Sequence, residues 1–153
     1  MTQRDTMLVR IGCGLLAISS TVIGIWAALF PRQFYLRFPG GGHAWVAVDG
    51  PYNEHLVRDV GQLNLGFAIL LGALALSAGL AAHRATAVAV LAAYLVPAAL
   101  HFTYHVNHLG LYGTGDAAGN VISLGLAVAV PAVLLVELAR RPRAFTPQPP
   151  GCP

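Results

Sequence analysis

Charge is what this sequence has least of. Only 10% of its 153 residues are Asp, Glu, Lys or Arg, against about a quarter in ordinary soluble domains. Lysine is missing altogether, and all nine basic residues are arginine. Cysteine is almost as scarce: Cys13 and Cys152 form no CxxC and leave no second pair, which excludes a disulfide framework and a thiol redox motif. There is no GxSxG, P-loop, HExxH or CxxCH stretch and no glycosidase-like carboxylate pair, so the common hydrolase, nucleotide-binding and haem signatures do not apply. The formal charge of +3 comes from arginines at the ends of apolar segments, which anchor helices in a membrane rather than track nucleic acid.

Hydrophobic residues, 56% of the chain, take the place of charge. They fall into four stretches, residues 11–30, 57–82, 85–109 and 117–139, each close to the roughly 20 residues that cross about 30 Å of hydrocarbon. The expected fold is all-α, a four-transmembrane-helix bundle over residues 1–140. Residues 141–153, rich in Pro, are expected to be a disordered tail. Arg4 and Arg10 precede the first stretch as they would in a secretory signal. Its apolar run, however, exceeds the about 7–15 residues of a signal core and ends in WAALFP with no small-residue cleavage site, so it reads as a retained span.

The connections set the topology. The AAHR turn at His83 and Arg84 is so short that spans two and three must be antiparallel neighbours. The start of span two, the end of span three and the start of span four then share one end. The amino terminus, the AAHR turn and the tail carry six arginines, whereas Arg32, Arg37 and Arg58 at the other end are offset by Asp49, Glu54, Asp59 and Asp116. The positive-inside rule puts both termini in the cytoplasm of a bacterial inner membrane, with the opposite end facing outward. The long connection, residues 31–52, offers Phe34, Phe38 and Trp45 to an interfacial belt. AWVAV is expected to form a short strand or hairpin over the bundle mouth, and His43, beside three glycines, reads as a loop histidine.

Polar residues gather at that mouth. In PAALHFTYHVNHLGLY, His101, His105 and His108 share an arc of roughly 60° with Tyr94 and Tyr112 at helical spacing. In NEHLVRDVGQLNLG, His55, Asp59, Gln62 and Gly66 share another face. Asp116, Asn120 and Ser123 line the start of span four, where Asp116 also suits a helix start. Glu54, His55, Arg58, Asp59, His101, His105, His108 and Asp116 are therefore expected to converge. Ionisable groups within spans usually face the bundle interior and pair. Three readings follow. In the first, His101, His105 and His108 with His55 or Asp59 ligate zinc, iron or copper, with Glu54, Arg58, Gln62, Tyr94, Tyr112, Asp116 and Asn120 in support. In the second, the histidines beside Asp59 relay protons or bind the polar head of a quinone or lipid. In the third, Arg58 pairs Asp59 and the histidines tie helices together, in a non-enzymatic membrane subunit that docks a partner chain or forms a homo-oligomer.

The stretches YNEHLVRDVGQLNLG (52–66), HFTYHVNHLGLYGT (101–114) and DAAGNVISLGLAV (116–128) resemble the small DoxX-like four-helix membrane proteins of bacteria, over roughly residues 10–140. The resemblance implies a four-span bundle and a redox- or sulfur-linked membrane role, with no catalytic residues attached. The HxxxHxxH spacing is also similar to the histidine boxes of membrane hydroxylases and desaturases, which carry more such boxes than this chain.

Overall fold

The computed structural model describes residues 2–140; the expectation of a disordered tail concerns residues outside that range. The elements in order are α1 (Gln3–Leu29), α2 (Pro31–Arg37), β1 (Pro39–Gly40), β2 (His43–Ala44), α3 (Glu54–Leu76), α4 (Ala78–Ala82), α5 (Arg84–Asn107), a single 3-10 turn (Leu109–Leu111) and α6 (Thr114–Arg140). Among the described residues the fold is all-α apart from one two-stranded ribbon. Helices α1, α3, α5 and α6, of 23 to 27 residues, are about 35–40 Å long. Each is long and apolar enough to cross a membrane, which is the character of a membrane protein.

Local chemistry sets the helix ends. Thr2 and Asp5 form a reciprocal capping box at the start of α1, and the Asn53 side chain accepts from Leu56 N at 3.2 Å to start α3. The second span is shorter than expected. Ser77 leaves the helical conformation and its hydroxyl accepts from Leu80 N at 3.2 Å, so α3 stops at Leu76 and residues 78–82 form the separate α4. His83 is at once the C-cap of α4 and the N-cap of α5, which keeps the turn as tight as its sequence requires. The long connection is more ordered than its sequence suggests. Pro31, with its preset φ and no N–H to satisfy, opens α2.

Packing is uneven along the bundle axis. At the end that carries α4, here called the base, all four long helices share one core. Val9, Cys13, Leu16, Leu71, Leu74, Leu91 and Leu134 are its main members, and Leu134 lies in the space that a side chain at Gly12 would need. At the other end, the mouth, the structure divides. Helices α1 and α3 stay in close contact because Gly24 admits Leu65 and Gly61 admits the backbone of Ala28, small residues letting two helices approach. Ala27, Phe34 and Val57 close a second, smaller core there between α1, α2 and α3. Helix α5 keeps company with α6, where Gly125 lies against Phe102. Tyr94, edge-to-face with Phe67 at 5.2 Å, is the last buried residue along α5. Beyond it, the inward stripe of α5 emerges from the core.

Candidate functional site at the mouth

The residues that line the mouth are held by the connection between α2 and α3. Gly40, Gly41 and Gly42 all have positive φ (107°, 65° and 90°), the region glycine enters without steric cost, and they turn the chain so that Pro39 pairs with Ala44 and Gly40 with His43. Of AWVAV, expected as a short strand or hairpin, only Ala44 is in a strand; the hairpin spans residues 39–44 and residues 45–48 are turns. The reason lies in the three glycines, which close a tight reversal that the AWVAV alternation cannot. The hairpin delivers His43 and Trp45 to α6. The indole lies on Gly119, where a Cβ would come 2.7 Å from the ring, and its Nε1 donates to Asp116 Oδ1 at 2.9 Å. His43 Nδ1 lies 2.6 Å from the same oxygen. His43 is thus an anchor rather than a free loop residue, and Asp116 holds the connection down besides suiting the start of a helix.

Further along, Asp49 Oδ1 accepts from the hydroxyl of Tyr104 at 3.0 Å, tying the connection to α5. Val46 and Phe38 meanwhile pack on the core of α1, α2 and α3. Residues 38–49 therefore form a strap from one helix pair to the other. Trp45, Asp49 and Tyr104 take larger parts in it than their sequence neighbourhoods disclose. The only signals are the glycine triplet ahead of His43 and an acidic residue just before Gly50.

Under the strap lie the histidines of α5. The rings of His101 and His105 meet edge-to-face, with centroids 4.6 Å apart. His105 Nδ1 is 3.2 Å from the Tyr112 hydroxyl, which is also 3.2 Å from Trp45 O, to which it donates. His108 turns elsewhere. It stacks on Tyr104 at 4.1 Å, and its Nδ1 reaches Tyr104 O at 2.7 Å. His101 is exposed and makes no hydrogen bond to a described residue. Burial and the nearby charge of Asp49 push the Tyr112 phenol up to about 12, so it stays protonated and can donate at any physiological pH. Asn120 is buried and donates to Asp116 O at 3.1 Å.

The polar face of α3 does not join this group. His55 Nε2 lies 3.4 Å from Asp59 Oδ2 along the same helix, and both side chains are open to the surroundings, at 83% and 47%. Gln62 is exposed as well. Helical periodicity explains the separation: the buried residues of α3 are Val57, Gly61, Leu71 and Leu74, and the His55–Asp59–Gln62 stripe falls on the opposite side. Arg58 pairs Glu54, with Nη2 2.8 Å from Oε1, and donates to Ala28 O, so its partner is Glu54 and not Asp59. Antiparallel neighbours share an end, as the sequence implies, but sharing an end does not make two stripes face each other. Among the described residues, no three His, Cys, Asp or Glu side chains gather as a metal-ligand set.

The open element of this arrangement is the His101–His105 pair, backed by the neutral Tyr112 phenol and by the Asp49 carboxylate, held at one remove through Tyr104. Comparison with protein-family models, with curated proteins and with solved structures finds no match to this chain.

Proposed function

We propose that this chain is a multi-pass protein of the bacterial inner membrane, with both termini cytoplasmic, that binds the polar head of a membrane-dissolved amphiphile, a quinone or a lipid, at its outward mouth. The observation that carries the reading is the exposed His101 imidazole, set against His105 at 4.6 Å and without a hydrogen-bond partner among the described residues. A polar group so placed near hydrocarbon is costly unless something meets it. The imidazoles accept from or donate to a carbonyl, hydroxyl or phosphate, and exposed apolar side chains of α5 such as Leu100 offer contact to a tail. The distribution of arginines supports the orientation. A DoxX-like four-span assignment agrees with this reading, which stands without it.

A short-tailed benzoquinone provides the test, because quinones quench indole fluorescence and Trp45 lies over the site. Saturable quenching is expected for the purified chain in lipid nanodiscs, weakened at least tenfold in a His101→Ala, His105→Ala double variant of unchanged melting temperature. Competition by added phospholipid would identify a lipid head as the occupant. Linear quenching, identical in both proteins, would overturn the reading.

A transition-metal site is the second reading, favoured by two imidazoles one helical turn apart on one face. Further ligands would have to come from water or another molecule. Elemental analysis decides it: stoichiometric zinc, iron or copper that disappears in the same double variant would replace the amphiphile with a metal.

A further inference from the structure

One face of α3 is unaccounted for by the bundle. His55, Asp59, Gln62, Gly66, Ile69, Ala73 and Leu76 follow one another at alternating steps of four and three, the spacing of a coiled-coil seam, and all are exposed. Along that seam Ile69 and Leu76 are 73% and 84% exposed, and a side chain at Gly66 would meet nothing within 4 Å. Large apolar residues need no more than lipid, but the other members do. Several polar side chains on the long helices return to their own backbone: Thr21 to Ala17 O, Asn64 to Val60 O, Thr103 to Ala99 O and Ser123 to Gly119 O. Gln62 makes no such bond among the described residues. It sits about 12 Å along α3 from its start, and an amide left unmet within a membrane span is costly.

We infer that this face is the contact surface for a second copy of the same chain. Three features select that occupant over lipid or an unrelated helix. All copies insert in the same orientation, so a pair related by a two-fold axis along the membrane normal brings α3 against α3 in parallel and in register. The two-fold then places the amide of each Gln62 beside the other, and an amide carries both donor and acceptor. The histidine and carboxylate of adjacent seam layers also interleave, His55 of each copy lying diagonal to Asp59 of its mate, so that an imidazole N–H of one chain can donate to a carboxylate of the other. Gly66 and Ala73 at the centre let the backbones approach, as small residues do in membrane helix pairs. In this arrangement the polar layers set register, as one polar layer does in a coiled coil.

The test counts photobleaching steps of singly labelled full-length chain in liposomes at a fixed protein-to-lipid ratio. Two steps are expected for the wild type. Gly66→Trp fills a space that is empty in the single chain, so the melting temperature of dilute protein stays the same while two-step events fall at least tenfold. His55→Asp sets four carboxylates together and likewise gives single steps. Adding Asp59→His to it exchanges the pair and restores two steps, which a folding defect cannot do. Single steps for the wild type at every ratio, or two steps for Gly66→Trp and His55→Asp, would overturn the inference. It is independent of quinone quenching at His101, which lies on another helix, so either reading can fail alone.

Discussion

Gly61→Ala tests how closely α1 and α3 are joined. The added methyl would press on Ala28 N and lie 2.8 Å from Ala28 Cα and 2.9 Å from the Ala27 carbonyl carbon, where ordinary contact begins at 3.4 Å. Since every one of these atoms is backbone, no side-chain rotation relieves the clash, and α3 must move away by roughly 1 Å. Overpacking of that kind costs about 1–3 kcal/mol. The same movement lengthens the bond from Arg58 to Ala28 O, worth about 1–2 kcal/mol for a charged donor. Against this, replacing Gly by Ala inside a helix returns about 1 kcal/mol. The expected balance is a loss of about 2 kcal/mol, some thirtyfold in the folding equilibrium. Reversible unfolding in mixed micelles with rising SDS fraction measures it. Gly72→Ala serves as control, because nothing lies within 4 Å of its new methyl; that variant should be as stable as the wild type or slightly more so. A Gly61→Ala chain as stable as the Gly72→Ala chain would refute the close approach of the two helices.

Removing the indole in Trp45→Ala takes away its contact with Gly119 and its bond to Asp116; a loss of about 2–3 kcal/mol is expected for this partly buried tryptophan, with faster amide exchange over residues 43–49. Gly119→Leu should mimic it from the other side by displacing the ring, and equal exchange rates in both variants and the wild type would count against the strap. For Tyr112, a folded phenol near 12 against about 10 unfolded means that the native state holds its proton more tightly. That contribution is complete below pH 10 and fades as pH rises to 12, so Tyr112→Phe should show a shallower alkaline loss of stability, measured as melting temperature against pH. Arg58→Leu should lower stability through Ala28 O and Glu54, whereas Asp59→Asn should leave the dilute single chain within about 0.5 kcal/mol, as an exposed pair does.

Much of the fold is legible from apolar run length, because a helix that must cross hydrocarbon announces itself by composition alone. The short turn at His83 likewise requires antiparallel neighbours. What run length does not encode is rotation. Whether His55 and Asp59 face α5 depends on which side of α3 is claimed by α1, and that was settled by Gly61 and Gly24, two residues whose role lies in what they lack. On α5, helical spacing brings the rings of His101 and His105 into contact. His108 left the group because α5 ends at Asn107 and its ring stacks on Tyr104 instead. The strap was the least legible part: its partners are separated by 71 residues for Trp45 and Asp116 and by 55 for Asp49 and Tyr104, and no local pattern reports pairings at that range.

The uneven core has a mechanical meaning. Two stiff rods fixed at one end and tied at the other behave as tweezers, with a pivot near Leu71, Leu91 and Leu134 and a restraining cord of residues 38–49. A small rotation at the pivot is magnified over the length of the arms, so a slight change in packing at the base becomes a wider excursion at His101. The length of the cord sets the greatest distance at which the two helix pairs can stand apart at the mouth. Shortening or lengthening it would reset that distance without touching His101 or His105.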